Sequence, residues 1–287
     1  MLAYFVGTIL FGAFVAPILF WGAHAIAAHG IFPGLGSFDF ESYFHRALLL
    51  GAVVLLWPLL RSLGVKTRRD LDLEPNPRWL RDVAAGFILS AIPVVLCEIF
   101  LIQRGLYSLR GIVPTAALGQ AVLSAIIVPL MEEALFRGLF LGILLRALRR
   151  WRANAVSAAI FSIVHFLKAP EQTTSDVRWF SGFVSLAHST DQFGQPMLVL
   201  AGFTTLFVIG LILAYARLRT RSLWLPIGLH AGWILGNEAF LKITRRQVIA
   251  LPWLGKNLLT GLVPLAVCFI TWYLLKVWLR YASARSA

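Results

Sequence analysis

Two adjacent carboxylates and a guanidinium interrupt a long apolar run near the middle of the sequence. Glu132, Glu133 and Arg137 lie in a stretch that begins near Thr115 and ends at the basic cluster starting with Arg146. Placing a charged side chain at the centre of a membrane helix costs roughly 2.5 to 3.5 kcal/mol on insertion scales. Three ionisable groups so close together in such a segment therefore indicate a functional site.

The spacing of these three residues predicts different surroundings for each carboxylate. Glu133 and Arg137 are four positions apart and share a helix face, as an ion pair requires. Glu132 is rotated by about 100° from Glu133, so it can point elsewhere. A structural salt bridge with a spare carboxylate is the plain alternative. Because a lone carboxylate in hydrocarbon is costly, the site must supply Glu132 with water, a partner or a metal.

Two histidines in later apolar runs have side chains suited to acid–base chemistry or metal binding. His165 follows Phe161 by four residues, and His230 lies between Gly228 and Gly232, whose small size permits close helix packing. Each histidine on its own is also compatible with a hydrogen-bonded residue of the helix core.

Glu132, His165 and His230 lie at comparable depths below the basic ends of their apolar runs. At 1.5 Å per residue, Glu132 lies about 21 Å from its basic end, His165 about 20 Å and His230 about 14 Å. Structural histidines that act independently need not agree in this way. We therefore predict that one carboxylate and two imidazoles meet in a single buried pocket.

The elements that must position these residues are membrane helices. Hydrophobic residues make up 59% of the 287 residues and charged residues 14%, well below the roughly 25% that is typical of soluble domains. The predicted fold is an all-α, polytopic membrane bundle of about eight transmembrane helices. The apolar runs occupy residues 2–28, 44–60, 83–102, 115–148, 153–167, 197–216, 223–241 and 258–279.

The chain divides by sequence into three predicted regions. Residues 1–110 hold three N-terminal spans, residues 111–245 hold the candidate catalytic core, and residues 246–287 hold the C-terminal span. The polar and aromatic stretch 168–195 is either a loop or a re-entrant element that covers the site.

The charge pattern predicts the partners and the orientation of the chain. There are 26 Lys and Arg against 13 Asp and Glu, mostly in short clusters between apolar runs. This is the pattern of cytoplasmic loops on anionic lipid, so we expect membrane lipids as partners and both termini in the cytoplasm. No basic stripe carries interleaved aromatics, so nucleic acid is not expected as a partner. The two cysteines, Cys97 and Cys268, lack metal-ligand spacing.

The order and spacing of these motifs resemble the CPBP family, the CAAX prenyl endopeptidase and bacteriocin-processing (Abi) intramembrane proteases. The resemblance covers about 115–241 and rests on three motifs. These are Glu132-Glu133-x-x-x-Arg137, Phe161-x-x-x-His165 and Leu223-Trp224-x-Pro226-Ile227-Gly228-x-His230-Ala231. The resemblance implies an integral membrane endopeptidase of the cell membrane that cleaves a peptide or protein substrate.

The resemblance also implies a role for each site residue. Glu132 acts as general base with His165 and activates a water, while His230 stabilises the oxyanion. Glu133 and Arg137 brace the site, with Phe161 as a further supporting residue. A metalloprotease is the alternative chemistry, in which Glu132, His165 and His230 hold Zn²⁺.

One departure from the family pattern favours a different function. The family carries Asn four residues after the last histidine, but this position is Ile234 here. Asn237 returns to nearly the same helix face, about 10 Å further along, and is a candidate supporting residue. The departure favours a non-catalytic peptide-binding or immunity protein on the same scaffold. A transporter with a proton relay of Glu132 and His165 is a third interpretation, although no matching halves are found.

Overall fold

The structure, a computed structural model, describes residues 2–32, 35–36, 38–112, 115–167, 176–248, 252–255 and 258–284. Residues 168–175, the first part of the stretch 168–195 that is predicted to be a loop or to cover the site, lie outside the described residues. So do Lys256 and Arg285, two of the basic residues behind the predicted orientation.

The described part of the chain is almost entirely helical. Its α-helices are α1 Leu2–Ala28, α2 Phe40–Val54, α3 Leu56–Ser62, α4 Trp79–Gln103, α5 Thr115–Glu133, α6 Leu141–Ala147, α7 Arg150–Val164, α8 Ser181–His188, α9 Pro196–Thr220, α10 Trp224–Ile243 and α11 Leu262–Ala284. A π-helical segment, Ala134–Phe140, joins α5 to α6, and short 3₁₀ turns form at Arg68–Leu71, His165–Leu167 and Asp191–Gly194.

The helices of the described chain confirm the predicted all-α class, and several of them are candidates for spanning a membrane. Five helical stretches of the described chain are long and apolar enough to cross a bilayer: Ala3–Ala28, Phe40–Ser62, Trp79–Gln103, Pro196–Thr220 and Leu262–Ala282. The other predicted spans correspond to the α5–α6 run, α7 and α10. Helix α7 has only 15 residues, fewer than the roughly 20 that a crossing needs. The count of eight crossings therefore stays a prediction.

The chain forms two compact units. The first combines Met1–Lys66 with Ile163–Pro196, and the second combines Thr67–Ser162 with Met197–Ala287. The three regions predicted from the sequence follow other boundaries and remain a functional division to be tested.

Small residues bring the helices of the first unit together. Helix α1 packs on α2 where Gly12 meets Leu48 and Gly51 meets Phe11. Helix α8 approaches α1 so closely that a Cβ at Gly182 would lie 2.1 Å from the Ala13 carbonyl oxygen. Only glycine permits this separation between two backbones.

A stripe of glycines on α10 fixes that helix against α4 in the second unit. A Cβ at Gly228 would lie 2.1 Å from the Val83 carbonyl oxygen, and one at Gly232 would lie 2.1 Å from the Ser90 Oγ. Gly236 continues the stripe one turn later, against Val94. Because these glycines recur every four residues, they form one face of α10. This contact fixes the helix that carries His230, whose side chain is about 200° around the axis from Gly228 and so lies on the opposite side of α10.

A short two-stranded antiparallel sheet lies at the C-terminal ends of α4 and α10, a feature that the helical prediction did not include. Strands β1 Tyr107–Leu109 and β2 Thr244–Arg246 pair antiparallel, with Tyr107 opposite Arg246. Tyr107 is 1% exposed and its ring packs 4.6 Å from that of Phe240. This strand pair therefore anchors the C-terminal end of α10 to that of α4.

Candidate functional site

A buried ion pair lies at the junction of α5 and the π-helical segment. Arg137 Nη1 donates to Glu133 Oε1 at 2.9 Å, and both side chains are 0% exposed. The pair forms at the i, i+4 spacing read from the sequence. The α-helix changes to π geometry directly after Glu133, and single π turns inside α-helices are frequent at functional sites.

His230 lies between the two carboxylates and contacts each through a different ring nitrogen. Its Nδ1 lies 2.8 Å from Glu133 Oε1, a hydrogen-bond distance, and its Nε2 lies 3.8 Å from Glu132 Oε2. The imidazole is 7% exposed and the Glu132 side chain 17% exposed. The two glutamates point in different directions, as their rotation predicts. They nevertheless meet at one imidazole because its two nitrogens face opposite ways.

Aromatic rings enclose this ionic cluster. The Arg137 guanidinium carbon lies 4.2 Å from the centre of the Phe161 ring, which is a cation–π contact. The same ring meets His230 edge-on at 5.9 Å and Phe136 edge-on at 5.2 Å. Phe161 is 1% exposed. The ring therefore packs against both Arg137 and His230 on one side of the cluster.

A second buried arginine braces the backbone of the π-helical segment. Arg217 on α9 donates through Nε to the Arg137 carbonyl oxygen at 3.1 Å, and its side chain is 0% exposed. Its other guanidinium nitrogens donate to the Leu71 carbonyl oxygen and, at 3.2 Å, to Asp72 Oδ2. Arg217 thus connects the π-helical segment that carries Arg137 to Leu71 and Asp72, at the end of the turn Arg68–Leu71.

Close packing supports the same connection. A Cβ at position 142 would lie 2.9 Å from the Leu71 Cβ. Helix α6 can therefore pack this closely against Leu71 only because residue 142 is glycine. Asp72 has a left-handed backbone, φ 57°, and also binds Arg221 Nη2 at 2.6 Å. The strained Asp72 backbone is held by two arginines, one buried and one exposed.

The structure brings five of the predicted site residues together in the second unit: Glu132, Glu133, Arg137, Phe161 and His230. His165 belongs to the first unit, where it begins the turn His165–Leu167 and is half-buried. Asn237 lies seven residues beyond His230 and lines a separate cavity with Trp233. The catalytic roles of Glu132, His165 and His230 stay predictions.

Sequence reasoning missed Arg217. Arg217 stands in a basic cluster between the apolar runs 197–216 and 223–241, a pattern that predicts a cytoplasmic loop, whereas its side chain is fully buried. Its position in the last turn of an apolar helix gives no signal that distinguishes it from its exposed neighbour Arg219.

The cluster provides part of a metal-ligand set. The Glu132 carboxylate and His230 Nε2 are close enough to share a ligand, and Glu133 orients the imidazole through Nδ1, as carboxylates do for zinc-bound histidines. Within the described part of the second unit, no three His, Cys, Asp or Glu side chains are grouped to hold a metal ion.

Comparison with protein families identifies the segment that carries this cluster. Residues 114–235 match the family described as type II CAAX prenyl endopeptidase, Rce1-like. This segment is similar to the Rce1-like family. The Rce1-like segment contains Glu132, Glu133, Arg137, His165 and His230, while Asn237 lies just beyond it. Comparisons with curated proteins and with solved structures gave no match.

Proposed function

We propose that this membrane protein is an endopeptidase that hydrolyses a peptide bond within the bilayer through the Glu132–His230 cluster. The observation that carries the proposal is the contact of His230 with Glu132 and Glu133 inside the Rce1-like segment. Its substrate is a peptide or protein held at the membrane. Both termini face the cytoplasm in this proposal, as the distribution of basic residues favours.

The hydrogen bond between His230 and Glu133 determines the proton on the imidazole. A carboxylate only accepts hydrogen bonds, so Nδ1 carries the proton and donates to Glu133. In the neutral ring Nε2 is then an acceptor, and in the imidazolium it is a donor. A donor at Nε2 stabilises the oxyanion, whereas an acceptor at Nε2 is a metal ligand.

Glu132 is placed to act as the general base. A water oxygen about 2.8 Å from both Glu132 Oε2 and His230 Nε2 forms a triangle with them across their 3.8 Å separation. Glu132 takes the proton as this oxygen attacks the scissile carbonyl carbon, and His230 faces the developing oxyanion. Glu132 then gives the proton to the amide nitrogen as the C–N bond breaks and the amine leaves. By resemblance, His165 assists Glu132 in this step.

Glu133 and Arg137 position these groups. The Glu133 Oε1 atom accepts from both Arg137 and His230, so one buried oxygen aligns the imidazole and neutralises the guanidinium. Arg137 compensates the negative charge of Glu133. The cluster therefore does not hold two adjacent carboxylates without a positive charge.

Zinc remains the alternative chemistry. Glu132 and His230 are the residues of this cluster that would hold the ion, and Zn²⁺ would supply a bound water of lowered pKa. The donor atoms of Glu132 and His230 suit this ion because one is a carboxylate oxygen and the other an imidazole nitrogen oriented by Glu133.

The test is cleavage by the purified protein in lipid vesicles. The substrates are a farnesylated peptide ending in a CAAX sequence and the same peptide without the lipid, with products identified by mass spectrometry. We expect cleavage at one bond and its loss in His230→Phe. Loss of activity with a chelator and its return with Zn²⁺ would assign the zinc chemistry, and activity that a chelator leaves unchanged would assign the metal-free chemistry.

A non-catalytic binding protein is the second candidate. Ile234 stands where the family has asparagine, and Asn237 lines a cavity rather than this cluster. Peptide binding without cleavage of any peptide in a diverse library would establish that alternative.

A further inference from the structure

A polar cavity lies at the surface of the second unit, between the turn Arg68–Leu71 and the loop that joins α9 to α10. Its volume is about 330 Å³, at the lower end of the roughly 300 to 1,000 Å³ of small-molecule sites. Charged side chains contribute three of its five lining residues, which are Arg69, Leu73, Glu74, Pro75 and Arg221. The cavity is separate from the Glu132–His230 cluster.

Contacts between the two walls hold the charged groups of this cavity in place. The Glu74 amide donates to the Arg221 carbonyl oxygen at 2.9 Å. The Arg221 guanidinium binds Glu74 Oε1 and Asp72 Oδ1, each at 2.6 Å. Asp72 is held in turn by Arg217, whose side chain is 0% exposed. The orientation of Arg221 is therefore set by the protein before any ligand binds.

The backbone of both walls is strained. Asp72 and Arg221 have left-handed backbones, with φ of 57° and 51°. They are the only non-glycine residues with positive φ in the part of the chain that the structure describes, and their side chains bind each other. Such conformations cost energy and concentrate at ligand-binding and active sites.

The cavity offers positive and negative charge side by side. Arg69 is exposed, and its side chain forms no ion pair with the other described residues. The side chains of Arg221 and Glu74 are 46% and 52% exposed. A carboxylate can accept about four hydrogen bonds, so Glu74 keeps capacity beside its contact with Arg221. Two guanidinium groups and one carboxylate together complement a ligand that carries an anionic and a cationic group.

Tryptophans indicate that this cavity lies at the level of the lipid headgroups. Trp79 begins α4, four residues after Pro75, and Trp224 begins α10, three residues after Arg221. Their rings lie 5.1 Å apart, and Trp79 is 43% exposed. Tryptophan is enriched where membrane helices cross from hydrocarbon to water. The cavity lies on the loop side of these rings, which is where phospholipid headgroups are concentrated.

We propose that this cavity binds the headgroup of a phospholipid that carries both a phosphate and a primary ammonium group, as phosphatidylethanolamine does. Arg69 and Arg221 bind the phosphate through charge-assisted hydrogen bonds, and Glu74 accepts from the ammonium. Phosphatidylglycerol lacks the cationic group, and the quaternary ammonium of phosphatidylcholine donates no hydrogen bond. The site does not depend on the proposed endopeptidase function.

Native mass spectrometry of the purified full chain in detergent tests the choice of lipid. The protein is titrated separately with phosphatidylethanolamine, phosphatidylglycerol and phosphatidylcholine of the same acyl chains. We expect the first to bind about fivefold more tightly than either of the others, the size of one exposed ion pair. Equal affinities, or tighter binding of phosphatidylglycerol, would overturn recognition of the ammonium group. Soluble phosphoethanolamine that binds as tightly as the lipid would show a site for a free ligand, and would overturn the lipid assignment.

A pair of neighbouring arginines locates the phosphate. Arg69→Gln removes a cation that lines the cavity, and we expect it to weaken phosphatidylethanolamine binding about fivefold. Arg68→Gln removes the same charge at an exposed residue that does not line the cavity, and we expect the affinity to stay at that of the wild type. Equal weakening in both variants would mean general attraction to the surface and would overturn the site.

A pair of acidic residues locates the ammonium group. Glu74→Gln should remove the preference for phosphatidylethanolamine over phosphatidylglycerol, while Asp72 still holds Arg221 for the phosphate. The control is Asp176→Asn, at an exposed acid that binds Arg178 at 2.9 Å outside this cavity, and it should keep the preference. An unchanged preference in Glu74→Gln would overturn the role of Glu74. A thermal melt of each variant checks that it is folded.

Discussion

The buried pair of Glu133 and Arg137 predicts an unusual pattern of stability changes. Arg137→Met removes the guanidinium that pairs with the Glu133 carboxylate, and Glu133→Leu removes the carboxylate that accepts a hydrogen bond from Arg137. Because both side chains are 0% exposed, each single variant should lose about 3 to 5 kcal/mol of unfolding free energy.

The double variant Glu133→Leu/Arg137→Met should lose less than either single variant. It removes both charges and leaves one buried donor, His230 Nδ1, without a partner, at a cost of about 1 to 3 kcal/mol. The coupling free energy between the two sites should therefore be several kcal/mol.

Thermal or denaturant unfolding of the four proteins in one detergent measures this coupling. We expect the double variant to be more stable than both single variants, and to fold even where a single variant does not. A double variant that loses the sum of the two single losses would refute the account, since additivity means that the residues do not interact.

Sequence spacing anticipated those contacts that depend on a single helix or on depth in the membrane. The ion pair of Glu133 and Arg137 follows from the i, i+4 rule, and the meeting of Glu132 with His230 follows from their similar depths. Close packing around Gly228 and Gly232 was also foreseeable, because small residues in a membrane helix permit contact between backbones.

Other features depend on contacts between residues far apart in the sequence. The π turn after Glu133 is stabilised where Arg217 and the stretch near Leu71 hold its backbone, and no local pattern encodes that partnership. Arg217 has the same local context as Arg219, and its burial is explained by partners far away in the sequence, the carbonyl oxygens of Leu71 and Arg137 and the carboxylate of Asp72. Asn237 was a candidate for the site by helix periodicity, yet axial distance places it at the neighbouring cavity.

Three further variants test the supports of the site. Arg217→Lys removes the planar guanidinium that donates to the Arg137 carbonyl oxygen, so kcat for peptide cleavage should fall about tenfold with KM unchanged. The control Arg219→Lys, at the exposed neighbour, should change neither. Equal kcat in both variants would contradict a positioning role for Arg217. Gly232→Ala places a Cβ 2.1 Å from Ser90 Oγ and should cost about 1 to 3 kcal/mol in unfolding free energy. The control is Gly119→Ala in α5, where the new Cβ faces open space and the unfolding free energy should rise by about 0.5 to 1 kcal/mol. An unchanged unfolding free energy in Gly232→Ala would contradict the α4–α10 contact. Phe161→Leu removes the cation–π contact of Arg137 and should lower unfolding free energy by about 2 kcal/mol or more, as measured in the same melts, and a wild-type melting curve would show that the ring does not support the cluster.

The catalytic role of Glu132 is tested most directly by the cleavage rate of Glu132→Gln, a substitution that keeps the shape and removes the charge. Glu41→Gln, at a fully buried glutamate of the first unit, is the matched control. We predict that Glu132→Gln abolishes cleavage while its melting temperature stays at that of the wild type, and that Glu41→Gln retains cleavage. Cleavage by Glu132→Gln at the wild-type rate would contradict the proposed mechanism.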